Sequence, residues 1–320
     1  MRTKGVEILI AIILGLVIPA LLVLMLQDRE LEMNSHSENS TTAASDHDRN
    51  DKISVLIDDD SVVQIPLEEY VLSVVLSEMP ASFETEALKA QAVVARTYAL
   101  RRVERGGKHV NASVCTHSSC CQGFVAVEDY IADGGKQTNV EKIKDAVLGT
   151  AGLVLVYNGE LIDATYFSCS GGVTEDAEAV WGREVPYLKS VPSPGEESAT
   201  HYVDTVQFST DEFLKKLELE KGQAIKICNL VHTEGGGVAR VDICGKTYSG
   251  TQLRKLLKLR STSFYITSVG KTVTITTKGY GHRVGLSQYG ADAMAVGGAS
   301  FEQILMHYYS GVELNPYVLD

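Results

Sequence analysis

A glutamate at the end of a predicted helix is the residue in this sequence with the clearest capacity for chemistry. In the segment EYVLSVVLSEMP, Leu72, Val75 and Leu76 form an apolar helix face, and Pro80 ends the helix close to Glu78. A carboxylate there faces the negative end of the helix dipole, and the apolar run before it predicts partial desolvation. Both effects favour the protonated carboxyl that a general acid needs. The alternative is a solvent-facing residue at the helix end.

Three cysteines lie within seven residues, in a pattern suited to a metal ion. The segment CTHSSCC contains Cys115, Cys120 and Cys121, with His117 between them. Zinc takes thiolate and imidazole ligands in a tetrahedral arrangement, and so short a loop could supply two or three of them. A disulfide within the loop and free thiols are the alternatives.

Three ordered blocks of sequence carry a family resemblance. They are EYVLSVVLSEMP followed by FETEALKAQAVVARTYAL, then TYFSCSGGVTEDAEAVWG (165–182), and finally GYGHRVGLSQYGADA (279–293). From about residue 53 to the C-terminus the chain resembles the stage II sporulation protein D family, whose members are lytic transglycosylases that cut the glycan strands of peptidoglycan. The resemblance implies that Glu78 is catalytic, because the family assigns catalysis to the glutamate of its EMP motif.

The same blocks supply candidates for substrate binding. Lys89 and Arg96 lie two turns apart on a helix predicted over 84–105, which fits a solvated face as well as a binding role. The resemblance favours a role in which these cations and Gln91 contact the sugar or orient Glu78. In the second block, serines offer hydroxyls and the glycine pair permits close backbone approach to a ligand. The candidates are Lys89, Gln91, Arg96, Tyr98, Ser168, Ser170, Gly171, Gly172, His282, Ser287, Gln288 and Tyr289.

Two positions in these blocks carry open questions. The only tryptophan, Trp181, is either a core residue or a platform on which a sugar stacks. The family has glycine where this chain has Arg283, and a bulky cation there could change the shape of the groove.

The resemblance also bears on the metal. Some clostridial relatives bind zinc near the active site through a C-x4-H-C-Q pattern. Cys115, Cys121 and Gln122 match that pattern, and Cys120 replaces its histidine. We therefore expect a structural zinc held by Cys115, Cys120 and Cys121. His117 is an alternative ligand, and Cys169 could add a ligand or pack in the core.

The mechanism that the resemblance implies is non-hydrolytic cleavage of the MurNAc–GlcNAc bond. Glu78 would protonate the departing oxygen and then deprotonate the C6 hydroxyl of MurNAc, which attacks internally and leaves an anhydro end. A hydrolase would need a second carboxylate. The candidates are Asp163, Glu175, Asp176 and Glu178. A non-catalytic glycan-binding scaffold is a further alternative. Acyl transfer by a serine is disfavoured because no G-x-S-x-G turn is present.

The N-terminus predicts a membrane anchor. Residues 8–26 are uncharged and long enough to cross a bilayer, with positive charge before them and negative charge after. We expect a cytoplasmic segment (1–7), the anchor (8–26), a flexible polar linker (27–52) and an extracytoplasmic catalytic domain (53–320). A cleaved signal peptide is the alternative. The resemblance implies a location between the forespore and mother-cell membranes during engulfment. It also implies glycan strands stripped of stem peptides as substrate, with the stage II sporulation protein P amidase and stage II sporulation protein M as partners.

Composition and strand patterns complete the prediction. The net charge of −12 and the sequence pI near 5.2 disfavour nucleic-acid binding. Short strands predicted at about 53–57, 152–157, 161–167, 225–231, 238–244 and 271–277 alternate with helices, which indicates an α+β fold with a groove lined by the three blocks. A symmetric hairpin would place Cys228 opposite Cys244, as a disulfide or as two packed thiols.

Overall fold

The computed structural model describes residues 52–57 and 61–317, in which helices alternate with short strands. The helices of this part are α1 Leu67–Glu78, α2 Thr85–Arg105, α3 Val127–Ala132, α4 Gln137–Leu148, α5 Ala177–Trp181, α6 Thr210–Lys216, α7 Gly250–Leu257, α8 Gln288–Val296 and α9 Phe301–Tyr308. The strands are β1 Lys52–Ile57, β2 Ser61–Pro66, β3 Val114–Cys115, β4 Leu153–Tyr157, β5 Glu160–Leu161, β6 Tyr166–Phe167, β7 Val203–Ser209, β8 Ile227–His232, β9 Val238–Ile243, β10 Lys246–Tyr248, β11 Ser263–Val269, β12 Thr272–Lys278, β13 Leu286–Ser287 and β14 Glu313–Pro316. The α+β class is confirmed.

The larger of two cores is built around α2. This helix contacts α1, α4, α8, α9 and β4, and alanines such as Ala87, Ala92, Ala95 and Ala99 are fully buried along it. Small side chains let neighbouring elements approach the α2 backbone closely, which explains how one helix packs against several neighbours at once. α2 begins one residue after Glu84, as its sequence pattern predicts.

Residues 203–278, the inserted region, form a second core. Two three-stranded sheets, β10-β9-β8 and β11-β12-β7, pack with α6 and α7 around buried side chains such as Phe213, Leu253 and Ile275. Val203 pairs with Lys278 at the ends of β7 and β12, so the region leaves and re-enters the main part at one point. The second and third sequence blocks flank that point.

Several strand predictions need correction. The predicted strand 161–167 is two strands, because β5 pairs antiparallel with β4 whereas β6 pairs parallel with β13. Cys228 lies opposite Asp242 rather than Cys244, since register shifts along β8 displace the hairpin from symmetry, and both thiols are free. The capping box predicted at Ser300 and Gln303 is confirmed at the start of α9.

The predicted anchor (8–26) and nearly all of the linker (27–52) lie outside the described residues. Within the described part, no helix combines the length and apolar character that a bilayer crossing requires.

Candidate active site

Glu78 is the last residue of α1, as its sequence context predicts. Met79 follows in an extended conformation (φ −126°, ψ 137°), because Pro80 disfavours helical geometry in the residue before it. The Glu78 side chain is half-buried, and its Oε1 accepts a hydrogen bond of 2.6 Å from the backbone N–H of Gly123. The carboxylate is thus held at one oxygen by backbone.

Two adjoining pockets share Glu78, Ser168 and Gln288 in their walls and together form the groove. The first pocket is lined mainly by polar and aromatic side chains: Tyr98, Ser118, Cys121, Tyr166, Phe167, Arg254, Tyr280 and His282 among others. The second is lined mainly by apolar and aromatic residues, among them Leu76, Met79, Phe83, Tyr130 and Tyr289. The groove therefore extends to both sides of Glu78, as cleavage in the middle of a polymer requires.

Five of the predicted substrate-binding residues line this groove. They are Tyr98, Ser168, His282, Gln288 and Tyr289. Gln288 is 6% exposed, and its Nε2 has no hydrogen-bond partner. A buried N–H group without a partner among the described residues is unusual and costly, so this donor in a groove residue is suited to an acceptor on a ligand.

Other predicted binding residues are buried in the protein instead. Arg96 is fully buried and binds both carboxylate oxygens of Glu68 (2.8 and 2.6 Å) and the carbonyl of Leu153 (3.1 Å). Gln91 is fully buried as well. Neither can touch a glycan, so the prediction for these two is corrected: Arg96 ties α1 and α2 to β4. Lys89 pairs with Glu86 at 2.8 Å and lies outside both pockets.

Ser170 and Ser287 serve a buried carboxylate rather than a substrate. Glu196, 1% exposed, accepts hydrogen bonds from Ser170 N, Ser170 Oγ and Gly171 N (2.7–2.9 Å) and from the hydroxyls of Ser193 and Ser287 (2.6 and 2.5 Å). Both predicted serines are fully buried, which excludes direct contact with sugar. Their role is to fix the second and third sequence blocks against each other.

The glycine pair is needed for backbone conformation. Gly171 and Gly172 adopt φ angles of 80° and 112°, which residues with a side chain rarely take. Neither glycine lines the two pockets. The prediction that these glycines allow a ligand to approach the backbone is therefore corrected. Gly171 instead lies close to Lys278 and Gly279 within the protein.

His282 is held neutral in the groove. Its Nδ1 accepts a hydrogen bond from the backbone N–H of Val284 (3.1 Å), and its ring contacts those of Phe167 and Trp181. Burial, and secondarily the nearby Arg254 guanidinium, lower the pKa of His282 to about 4. Trp181 is 41% exposed, so the core interpretation of this residue is wrong and its indole face is available beside the groove.

Arg283 points away from the groove. It is 2% exposed, pairs with Glu175 at 3.1 Å, and donates to the carbonyls of Ser170, Val173 and Gly235. Its φ of 67° explains why glycine suits this position, and its guanidinium joins the inserted region to the second sequence block. The expected change in groove shape has no basis in this arrangement.

Tyr166 is a groove residue that sequence reasoning missed. Its hydroxyl accepts a hydrogen bond from Gln122 Nε2 (3.3 Å), and Gln122 Oε1 accepts one from Tyr70 (3.1 Å). Burial, and to a smaller extent the neighbouring charge of Glu78, raise the pKa of Tyr166 well above its ordinary value, so the phenol stays protonated. The sequence feature that indicates Tyr166 is its position in the second block, two residues before the predicted binding residue Ser168.

A group of potential metal ligands lies beside the groove. Ligand atoms of His109, Cys115, Cys120 and Cys121 all lie within 4.8 Å of one another. The sulfur atoms of Cys120 and Cys121 are 4.0 Å apart, and they lie 3.7 and 3.6 Å from His109 Nε2. A tetrahedral zinc with bonds of about 2.3 Å to sulfur and about 2.1 Å to nitrogen separates its ligands by roughly 3.8 Å (sulfur to sulfur) and 3.6 Å (sulfur to nitrogen).

The spacing of these atoms fits a Cys3His site. The three predicted cysteines are brought together, but the histidine is His109 rather than His117, which is exposed. Cys169 is fully buried and lies outside the group. The loop continues from Cys121 to Gly123, whose N–H holds Glu78, so the potential metal site and the carboxylate are linked through two residues.

The four carboxylates considered for a hydrolase lie elsewhere. Asp163 is near three arginines, Glu175 pairs with Arg283, and Asp176 caps α5 while Glu178 lies in its first turn. Among the described residues, Glu78 is the one carboxylate in the walls of the two pockets.

Comparison with known proteins gives a consistent picture. A family model described as stage II sporulation protein matches residues 58–157. Stage II sporulation protein D of Bacillus amyloliquefaciens is 43% identical over 260 residues, and that of Bacillus subtilis (strain 168) is 40% identical; each alignment covers 80% of this chain and 76% of the relative. The amidase enhancer of Bacillus subtilis (strain 168) is 32% identical over 300 residues, covering 76% of this chain and 40% of that protein.

Proposed function

Because this chain belongs to the stage II sporulation protein D family, we propose that it is a lytic transglycosylase that cleaves the MurNAc–GlcNAc bond of peptidoglycan. The observation that carries the proposal is a groove extending to both sides of a single carboxylate, Glu78. A glycosidase that uses water needs two carboxylates, whereas attack by the substrate's own hydroxyl needs one.

Glu78 acts first as an acid and then as a base. Its half-buried carboxyl protonates the glycosidic oxygen of the departing sugar. The resulting carboxylate then removes the proton from the C6 hydroxyl of MurNAc, whose oxygen bonds to the anomeric carbon and gives an anhydro end. The proton that Glu78 gave is recovered in the second step, so the enzyme is unchanged after one cycle.

Neighbouring groups position the carboxyl and the sugars. The Gly123 N–H fixes Oε1 of Glu78, and the other oxygen meets the glycosidic oxygen. The protonated Tyr166 phenol lies beside Glu78, and Gln288 Nε2 offers an unused donor to a sugar or acetamido oxygen. Trp181 and the aromatic residues Phe83, Tyr130 and Tyr289 suit the apolar faces of sugar rings.

Zinc suits the group formed by His109, Cys115, Cys120 and Cys121, because zinc prefers thiolate and imidazole donors at this spacing. With four protein ligands the site has no open position for water. The ion would therefore stabilise the loop that carries Gly123 and would not activate a water molecule. Glu78 is positioned by that loop.

The cellular setting is part of the proposal, and the family resemblance supports it. The chain is anchored by residues 8–26, with its catalytic domain between the forespore and mother-cell membranes during engulfment. The name of one relative, amidase enhancer, supports work alongside an amidase. The expected partners are the stage II sporulation protein P amidase, which strips stem peptides, and stage II sporulation protein M.

Mass spectrometry of cleaved glycan strands tests the activity. Purified protein and its Glu78→Gln variant are incubated with strands freed of stem peptides. The proposal expects anhydro-ended fragments from the wild type and a loss of about 10²- to 10⁴-fold in rate with the variant. Reducing ends would indicate a hydrolase, and binding without cleavage would indicate a scaffold.

A further inference from the structure

Arg254 brings a positive charge into the groove from the inserted region. It lies on α7, whose apolar residues pack in the second core, while its side chain lines the first pocket together with Glu78 and His282. The guanidinium makes one long hydrogen bond, from Nε to the carbonyl of Leu259 (3.4 Å). Burial lowers the pKa of Arg254, yet an arginine remains charged at any physiological pH.

Other buried or half-buried arginines in this protein have a carboxylate partner. Arg96 pairs with Glu68, Arg283 with Glu175 and Arg260 with Asp204. Arg254 differs, because among residues 52–57 and 61–317 no carboxylate lies within ion-pair distance of it. A partly desolvated cation without a counter-charge is costly, and such a cost is offset when a ligand supplies the anion.

The cation of the first pocket has no ion-pair partner among the described residues. Arg254 is the only Lys or Arg among its described lining residues, and Glu78, the only carboxylate there, makes no ion pair with it. His282 is neutral at physiological pH, so it adds no compensating or competing charge. The Arg254 guanidinium is therefore available to an anionic group of a ligand in this pocket.

We propose that Arg254 binds the lactyl carboxylate of MurNAc and so selects glycan strands whose stem peptides have been removed; this rests on the proposed function. In intact peptidoglycan the lactyl group is an amide joined to the stem peptide. Hydrolysis of that amide by water yields a free carboxylate on the sugar and an amine on the peptide. Guanidinium binds carboxylate through two parallel N–H···O bonds, whereas a neutral amide cannot accept them as an anion does.

The test compares three substrates of equal glycan length. The first is strands with free lactyl carboxylates, the second the same strands with each carboxylate converted to a methylamide, and the third strands that retain stem peptides. We expect the wild type to cleave the first roughly 10- to 100-fold more efficiently (kcat/KM) than the second, the range that a charge-assisted hydrogen bond supports, mostly through KM. A wild type that cleaves the first two alike overturns the role of Arg254 and leaves the transglycosylase intact.

Variants of Arg254 assign the preference to this side chain. Arg254→Gln should bring the ratio of kcat/KM for free-carboxylate strands to kcat/KM for methylamide strands close to one. A folding defect cannot produce this result, because it lowers both values by the same factor. Arg254→Lys should keep part of the preference. Lys255→Gln removes an exposed charge from the same helix and should behave as wild type.

The remaining outcomes distinguish a lactyl carboxylate from a peptide carboxylate at Arg254. They also distinguish failure of this inference from failure of the proposed function. A wild type that prefers strands retaining stem peptides would place a peptide carboxylate at Arg254 and overturn the inference. An Arg254→Gln protein that retains the full preference also overturns it. Cleavage of none of the three substrates by the wild type contradicts the proposed function itself.

Discussion

Glu78 and Glu196 are two glutamates near the same groove, and their surroundings are opposite. Glu196 is 1% exposed and its two oxygens accept five hydrogen bonds, all from neutral donors of the second and third sequence blocks and of Ser193. Glu78 is half-exposed, accepts a hydrogen bond from the Gly123 N–H, and has the Tyr166 phenol as a neighbour. A carboxylate with every lone pair engaged holds structure, while one that lines an open groove can exchange a proton with a ligand.

This difference explains which residues of the sequence blocks line the groove and which of them stabilise the fold behind it. Ser170 and Ser287 lie in the blocks that carry the family resemblance, but they bind Glu196, which lies between the blocks. Ser168 and Gln288, two residues and one residue away, line the groove on either side of Glu78. The hydrogen bonds to Glu196 thus hold the neighbouring Ser168 and Gln288 in the wall of the groove.

Replacing each of the two glutamates by glutamine gives the largest expected contrast in rate and stability. Glu78→Gln should lose about 10²- to 10⁴-fold in rate and leave the free energy of unfolding within about 0.5 kcal/mol of wild type, since one partly exposed contact changes. Glu196→Gln should lower the free energy of unfolding by about 3 kcal/mol or more, because an NH₂ group then faces N–H and O–H donors that lose their acceptor. Chemical denaturation and the anhydro-end assay measure the two quantities.

Similar unfolding midpoints for the two variants would contradict the assigned contrast. Glu302→Gln is a suitable control, because Glu302 is an exposed glutamate in the first turn of α9. It should change neither stability nor rate appreciably.

Gly123→Ala tests whether the backbone contact positions Glu78. A Cβ at this glycine would lie 2.8 Å from Glu78 Oε1 and 2.8 Å from Ser77 Oγ, so the carboxyl must move away. We expect a loss of roughly 10- to 100-fold in kcat, the scale that a displacement of about 1 Å causes, with little change in stability. Gly297→Ala, at the end of α8, is the matched control, and equal loss in both variants would show a general effect of alanine.

The histidine ligand offers the next contrast. His109→Ala should remove one of four ligand atoms and lower zinc affinity by more than the roughly 10- to 100-fold that loss of an outer-shell partner costs. His117→Ala should change nothing, because His117 is exposed and lies outside the group. Metal content per chain, measured by mass spectrometry after dialysis, decides between them. Equal metal loss in both variants would contradict the His109 assignment.

Local patterns in the sequence predicted the position of Glu78 at a helix end but not the surroundings of its side chain. Pro80 places Glu78 at a helix end because proline acts on its immediate neighbour, and the capping box at Ser300 is equally local. The spacing of Lys89 and Arg96 shows that they share a face of α2, yet not whether that face meets solvent. Arg96 meets Glu68, which is distant in sequence, and so becomes a buried ion pair.

Contacts between distant segments account for the residues that were missed. His109 joins the cysteines because the loop folds back, and its six-residue separation from Cys115 carries no familiar metal spacing. Arg254 reaches the groove from the inserted region, outside all three blocks, and Glu196 is likewise remote from Ser170 and Ser287, two of the serines that it binds. Such groupings depend on packing between elements, which periodicity along one element does not encode.

His282 gives the smallest predicted effect and extends the comparison to pH. This histidine lies in the groove, and burial lowers its pKa from 6.5 to about 4. Between these values the unfolded chain binds a proton that the native protein does not, so the free energy of unfolding falls as pH decreases from 6.5 and this contribution levels off below 4. From pH 6.5 to 5 the loss from this residue should be about 1–2 kcal/mol. His282→Asn retains an acceptor for the Val284 N–H and cannot titrate, so its stability should decline less steeply over that interval; parallel curves for variant and wild type would exclude a lowered pKa at His282.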